Sequence, residues 1–230
     1  MAITQSNNKA PVITIDGPSG AGKGAAAQKL ADQLGYHLLD SGAVYRAAAI
    51  IAVKASADIS SESSVLAALD TFQATFHPNG TEGVTVRIGD EDVTGELRTQ
   101  QIAEIASQIA AMQAVRAALL DEQRSFRQSP GLVADGRDMG TVVFPDAQLK
   151  VFLTASVQER AERRAKQLKQ KGIETTMRTL VAEIESRDKR DSTRKHAPLI
   201  AADDALYIDS SLLSIDQVVE QIVTATKTVL

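Results

Sequence analysis

Short apolar runs alternate along the chain with longer stretches whose apolar positions recur every three or four residues. The first run, Val12–Asp16 (VITID), lies between Pro11 and Gly17 and predicts a buried strand. After the glycine-rich Gly17–Gly22, the stretch Lys23–Leu34 is rich in the helix formers Ala, Gln, Lys and Leu. Gly35 stands where a helix C-terminal cap belongs. His37–Asp40 predicts a second strand, and Ser41 can cap a helix running to about Ala55. Strand, helix and strand in so short a span form a βαβ unit, which implies a parallel sheet.

The period changes between Asp58 and Gly95. A short helix at Ser63–Leu69 precedes strand candidates Phe72–Phe76 and Val84–Ile88, separated by a turn-rich stretch with Pro78, Asn79 and Gly80. Gly89 and Asp90 permit a further turn before Glu91–Val93. This pattern predicts a small antiparallel meander inserted in an alternating α/β chain. Thr99–Phe126 then reads as helical, with Ile102, Ile105, Ile109 and Met112 on one face. Leu132–Asp135 and Leu149–Leu153 are buried strand candidates. Ser156 with Glu159 is a capping-box pattern at the start of a helix. Another helix carries Met177, Leu180, Val181 and Ile184; strand Ala205–Ile208 and helix Ile215–Val229 close the chain.

Composition narrows the chemistry. The 230 residues suit one compact domain with an inserted piece, and 43% apolar residues are enough for a core. Absence of Cys excludes disulfides, Cys-bound zinc and thiolate nucleophiles. With 3% aromatic residues, no Trp and a net charge of -4, a stacking platform for single-stranded nucleic acid is not expected. Met1–Ala10 lacks an apolar signal segment, and no apolar run approaches the ~20 residues of a membrane span. The expectation is a soluble, cytoplasmic protein with no membrane or nucleic-acid partner.

The strongest chemical signal is Gly17, Pro18, Ser19, Gly20, Ala21, Gly22, Lys23 and Gly24, which matches G-x-x-x-x-G-K between a strand and a helix. Glycines let backbone N–H groups turn inward around a phosphate, and the following helix points its positive end there. Lys23 supplies charge for the β- and γ-phosphates of ATP. The position after the lysine usually carries a hydroxyl that helps hold Mg²⁺; here Gly24 is followed by Ala25. Asp135 ends an apolar run, where P-loop proteins place an acid for Mg²⁺ or its waters.

A second phosphorylated substrate would need arginines, whose planar forks grip phosphate oxygens in pairs. Arg46, Arg116 and Arg137 are candidates, and Ala155–Lys195 adds 12 Lys and Arg against 7 Asp and Glu in a chain that is acidic overall. The apolar stripe Met177, Leu180, Ile184 continues at helical spacing into Arg187, Asp191 and Arg194. Inward-facing arginines suggest a lid that closes on phosphates and excludes water. The Asn-Lys-x-Asp guanine motif of GTPases is absent. The residues alone leave open a small-molecule kinase for UMP, AMP or a non-nucleotide acceptor, a nucleotide-binding module without turnover, and a lid that contacts nucleic acid.

The stretches Ile13–Gly24 (ITIDGPSGAGKG), Leu39–Arg46 (LDSGAVYR), Glu91–Thr99 (EDVTGELRT), Ala134–Asp146 (ADGRDMGTVVFPD) and Glu185–Asp191 (ESRDKRD), with Arg194, resemble bacterial cytidylate kinases, members of the nucleoside monophosphate kinases. The resemblance spans nearly all of the chain beyond its first ten residues. It implies an α/β P-loop kinase fold: a five-stranded parallel sheet flanked by helices, a small antiparallel insert and a helical lid. By it the core comprises 11–40, 131–154 and 199–230, the CMP-binding part 41–130 with its insert at about 58–95, and the lid about 155–198. The activity it implies is in-line transfer of phosphate from ATP to CMP or dCMP with Mg²⁺, without a covalent enzyme intermediate, by a monomer. Gly17–Ala25 would hold ATP. Ser41, Arg116 and Asp138 would face the cytosine, with Ser107 near it. Arg46, Arg137 and Arg194 would grip the CMP phosphate, and Arg187 and Asp191 would bind the ribose. Lys23, Arg137, Arg194 and Asp135 would carry the chemistry. Ala25 departs from this family, whose loop reads G-K-G-T. One hydrogen bond to a charged site is worth about 1.5–3 kcal/mol, so the lost hydroxyl corresponds to a ~10- to 100-fold slower reaction unless water replaces it.

Overall fold

Val12–Asp16 (β1) is buried along its whole length because it is the central strand of a sheet covered on both faces. The computed structural model describes residues 9–70, 72–78, 84–170 and 172–229. β2 (His37–Asp40), β6 (Leu132–Gly136), β7 (Leu149–Thr154) and β8 (Leu206–Asp209) join β1 in a five-stranded, wholly parallel sheet of order β2-β6-β1-β7-β8. Between β2 and β6 lies the three-stranded antiparallel sheet β3 (Ala74–Pro78), β4 (Val84–Ile88) and β5 (Glu91–Asp92).

Alternation along each strand divides the core in two. Ile13, Ile15, Val133, Val151 and Leu153 face α1 (Lys23–Leu34) and α9 (Ile215–Thr226), which bring Ala26, Ala27, Leu30, Val218 and Ile222. Val12, Leu39, Leu132 and Ala134 face the opposite layer, built from α2 (Ser41–Lys54), α5 (Gln100–Ile109) and α6 (Gln113–Ser125). Five buried alanines in α2 keep that helix close to its neighbours. The small sheet shares this second core through Val86, and Val93 and Leu97 join it from α4 (Thr94–Leu97) and the residue before. Phe76 of β3 meets Phe126 edge to face, with ring centres 5.6 Å apart, and α3 (Glu62–Leu69) packs on α2 and α6. α7 (Val157–Gln170) and α8 (Met177–Ser192) pack on one another as a helical pair.

Several sequence expectations shift. Asp40, not Ser41, caps α2, its carboxylate accepting from the Ala43 N–H at 2.9 Å. A short charged side chain satisfies an orphan N–H as well as a hydroxyl does, and Ser41 is already inside the first turn. The expected helical stretch Thr99–Phe126 breaks at 110–112 into α5 and α6. The strand expected at Phe72–Phe76 is displaced to Ala74–Pro78, that expected at Ala205–Ile208 to Leu206–Asp209, and the last helix ends at Thr226. Asn79 and Gly80 of the expected turn lie outside the described residues. Met177, expected to face inward, is 37% exposed at the start of α8, whereas Leu180 and Asp191 are buried. Among the described residues no helix is long and apolar enough to cross a membrane.

The parallel register brings carboxylates to one edge of the sheet: Asp40 pairs Asp135, and Asp16 pairs Gly136. In open α/β sheets ligands bind beyond this edge, where strands end and helices begin.

Candidate active site

β1 runs straight into the phosphate loop. Gly17 is indispensable there: a Cβ would lie 1.9 Å from the Leu153 carbonyl oxygen. Gly22, at φ 94°, places the left-handed turn that starts α1. That helix has neither a side-chain cap nor an acidic residue in its first turn, so its leading N–H groups are left for an anion. Lys23 is buried, donates from Nζ to the Pro18 carbonyl at 3.0 Å, and lies 3.8 Å from Asp135. Burial pushes the Lys23 ammonium below the ordinary lysine range, and the Arg137 charge adds to that shift. Burial likewise pushes the Asp135 carboxyl up, against the pull of Lys23. Asp135 also borders Gly24, where a Cβ would stand 3.3 Å from its Oδ2. Ala25 is exposed in the first turn of α1 and offers no hydroxyl.

The helical pair is clasped to this loop. Arg160, 3% exposed, makes a bidentate pair with Asp188 at 3.0 and 2.6 Å. The same guanidinium donates to the Ser19 carbonyl at 3.1 Å and the Ala155 carbonyl at 3.0 Å. Arg163 donates to the Ala21 carbonyl at 3.4 Å and the Ser210 carbonyl at 2.7 Å. Ser210 donates from its hydroxyl to the Ala21 carbonyl at 2.9 Å. Gly20 leaves room for Arg160, whose Cβ would lie 3.2 Å from an added Cβ.

Beyond β6 lies a cluster of arginines around buried acids. Asp191 accepts from Arg137 Nε at 3.0 Å and from Arg194 Nη2 at 2.6 Å, with Arg187 Nε at 4.0 Å. Burial alone would raise the Asp191 carboxyl, but Arg137, Arg194 and Arg187 together hold it below the usual range. Burial lowers Arg187 to about 10, with Arg137 contributing next. The Nε atoms of Arg187 and Arg194 are buried without a hydrogen-bond partner among the described residues, an arrangement that suits an incoming anion. Arg46 pairs with Asp40 at 3.0 Å.

Asp138 is buried and paired with Arg116. Burial raises its carboxyl above the usual range, against the pull of Arg116. Arg116 also donates to the Ala110 carbonyl at 3.2 Å and lies over the Tyr45 ring at 5.8 Å. Ser107, buried in α5, accepts from Arg190 Nη1 at 3.0 Å. Ser41 donates to Gln123 Oε1 at 2.8 Å, which spends its proton and leaves lone pairs for a donor. The structure thus joins Arg137, Arg187, Asp191 and Arg194 in one ion cluster, and Arg116 with Asp138 in a pair; Arg46, Ser41 and Ser107 hold separate partners.

Sequence reasoning missed five anchors: Asp16, Gln123, Arg160, Arg163 and Arg190. Asp16 accepts from the Met139 and Gly140 N–H groups, each at 2.8 Å, and so fixes the π-helical turn Met139–Val143 just after Asp138. Burial pushes its carboxyl up to about 7, against those two N–H groups. Its place at a strand end was the available signal, the same one that exposed Asp135. Gln123, 1% exposed, is one of many polar residues on an amphipathic helix and carried no signal.

The chain is similar to known proteins in three comparisons. A family model described as cytidylate kinase matches residues 13–228. A cytidylate kinase of Proteus mirabilis (strain HI4320) is 53% identical over 211 residues, covering 92% of this chain and 93% of that protein. One of Shigella sonnei (strain Ss046) is 53% identical over 213 residues, with the same coverage of each. A solved structure of a putative kinase from Chloroflexus aurantiacus is 12% identical, covers 96% of this chain and 98% of its own, and has a TM-score of 0.44.

Proposed function

The chain belongs to the cytidylate kinase family, and from that premise we propose that it transfers the γ-phosphate of ATP to CMP or dCMP, giving ADP and CDP or dCDP. The observation that carries the acceptor assignment is the buried Arg116–Asp138 pair standing beside the Asp191 arginine cluster, all beyond the strand that also carries Asp135. A carboxylate acceptor suits the exocyclic amine of cytosine, a donor that uracil lacks. Arg194, whose Nε has no partner among the described residues, suits the monophosphate together with Arg46 and Arg137.

The chemistry needs positioning and charge more than a reactive side chain. The phosphate loop and the leading N–H groups of α1 hold the donor phosphates, and Lys23 exchanges its bond to the Pro18 carbonyl for phosphate oxygens. Arg46, Arg137 and Arg194 orient the monophosphate so that its oxygen attacks in line. Asp191 keeps Arg137 and Arg194 in place before that phosphate arrives and binds the ribose with Arg187 afterwards. Ser41 and Arg116 flank the base. Arg160 holds α7 and α8 against the loop, excluding water from the donor.

Among the described residues no cluster of three or more acidic or histidine side chains could cage a metal. Asp135 fits the alternative in which Mg²⁺ is bound by one or two carboxylates plus substrate phosphates. Bound there, Mg²⁺ would neutralise phosphate charge.

Ala25 supports a second reading, a relative that binds both nucleotides but turns them over slowly. ADP production from ATP and Mg²⁺ with CMP, dCMP, UMP and AMP in parallel separates the two. Turnover on CMP and dCMP alone is the expected outcome, and Ala25→Thr should raise it roughly tenfold or more if no water replaces the hydroxyl. Silence on all four nucleotides, with CMP still bound, favours the second reading; turnover with UMP or AMP in preference overturns the acceptor assignment.

A further inference from the structure

α5 and α8 face one another across a cavity of about 350 Å³, whose lining includes Glu104, Ser107, Arg187 and Arg190. Ser107 is buried in its wall, and its hydroxyl oxygen accepts from Arg190 Nη1 at 3.0 Å. The direction of that bond is forced. A guanidinium only donates, whereas a hydroxyl has one donor and two acceptor sites. A serine inside a helix often returns its proton to the carbonyl one turn back, but the bond from Arg190 is the one hydrogen bond Ser107 Oγ makes among the described residues. Its proton is left for whatever enters the cavity. The surroundings tie this hydroxyl to the acceptor cleft: Arg187, of the Asp191 cluster, lines the same cavity. One turn along α5, the Ala110 carbonyl holds Arg116, the partner of Asp138.

We propose that Arg190 is a positioning residue that makes Ser107 a hydrogen-bond donor toward the acceptor base, and that this orientation selects cytosine over uracil. The inference rests on the cytidylate kinase reading of this cleft. The two bases differ at ring N3 as well as at the exocyclic group: cytosine offers a lone pair there, and uracil an N–H. A hydroxyl held as a donor meets the lone pair of cytosine and opposes the N–H of uracil. To accept from uracil, Ser107 would have to turn its second lone pair inward and leave its proton buried without an acceptor, a penalty equivalent to roughly tenfold in binding or more. Without Arg190 the hydroxyl rotates freely and serves either base. Arg190 thus adds a second level of discrimination to the carboxylate of Asp138.

The test is calorimetric titration of CMP and of UMP into the full chain without ATP, so that the Ala25 question does not enter. The variants are Ser107→Ala, Arg190→Met, Arg190→Lys and the double variant Ser107→Ala with Arg190→Met. Ser107→Ala and Arg190→Met should each reduce the CMP-over-UMP preference roughly tenfold, and the double variant no further, because both remove one interaction. Arg190→Lys, which keeps a charged donor, should retain most of the preference. If Arg190→Met weakens both nucleotides equally, Arg190 is only a strut between the helices and the proposal is overturned. It is also overturned if Ser107→Ala lowers the preference while Arg190→Met leaves it intact. An unchanged preference in Ser107→Ala overturns it together with the placement of Ser107 at the base. Failure of the unaltered chain to bind CMP would instead remove the function on which the inference rests.

Discussion

Under the proposed function, the donor and acceptor sides of the cleft are built by different means. The donor side is a single segment, Gly17–Ala25, in which backbone geometry does the work: positive-φ glycines, uncapped helix N–H groups and one buried lysine. The acceptor side is gathered from α2, α5, α6, the end of β6 and α8, and ion pairs hold it together. Asp40, Asp138 and Asp191 each already have an arginine partner, so those forks are aimed before any substrate is present. Such pre-orientation limits the ordering cost of binding. On the donor side Arg160, Arg163 and Ser210 hold carbonyls of the loop from outside, and the glycine backbone itself presents the N–H groups. A change on the donor side should therefore affect rate, and a change at the base-facing residues of the acceptor side should affect which nucleotide is chosen.

Lys23→Met is the largest expected departure. Removing one charged donor aimed at the transferring phosphate should lower kcat by roughly 10²- to 10³-fold, with CMP affinity unchanged in a binding titration. A comparable loss of CMP affinity would break the separation between the two sides. Asp138→Ala should act in the opposite sense. It should cut the CMP-over-UMP ratio of kcat/KM by about 10- to 100-fold, the 1–3 kcal/mol of a polar base contact. It also leaves Arg116 buried without its acid, which destabilises the fold. Because both nucleotides are assayed on the same variant, the ratio is insensitive to the fraction folded. An unchanged ratio would refute the assignment of Asp138 to the base.

The same contrast explains what could be read from the sequence. The phosphate loop is contiguous, its glycine spacing is set by local sterics, and a strand and helix on either side give it context, so it was legible directly. The parallel core was legible from strand–helix alternation, and the small sheet from a change of period. Arg137, Arg187, Asp191 and Arg194 were legible as residue types in suggestive positions, but their shared partner was not, because Asp191 meets Arg137 across 54 positions of chain. Ser41 shows the limit most plainly. Local rules made it a helix cap, whereas a long-range partner, Gln123, takes its proton and the preceding Asp40 does the capping. Arg160 was one cation among many in a basic stretch; only its burial against Ser19 and Asp188 distinguishes it. Capping and glycine geometry are local and leave marks in sequence, while a buried ion network depends on a register set by the whole fold.

The smallest expected effect concerns the ionic pair at the donor side. The proposed function requires Asp135 ionised and Lys23 protonated when Mg²⁺-ATP binds. Desolvation shifts both toward their neutral forms, Asp135 above its ordinary value of 3.8 and Lys23 below its ordinary value of 10.5. In the free enzyme the acid limb of kcat/KM for ATP should therefore lie above the ordinary carboxylate range, and the alkaline limb below the ordinary lysine range. Beyond each limb the rate should fall about tenfold per pH unit. Bound phosphates place negative charge beside Lys23 and favour its protonated form, so at saturating ATP the alkaline limb of kcat should move up. In Lys23→Met the cation that lowers Asp135 is lost, and the acid limb should rise further. Asp138→Ala should leave both limbs where they are, because Asp138 is not among the groups that shift Lys23 or Asp135, whereas Arg137 acts on both. A pH profile for ATP that moved with Asp138→Ala would show that the base end of the cleft belongs to the same electrostatic unit as the phosphate loop, and the division between rate and choice would fail at its root.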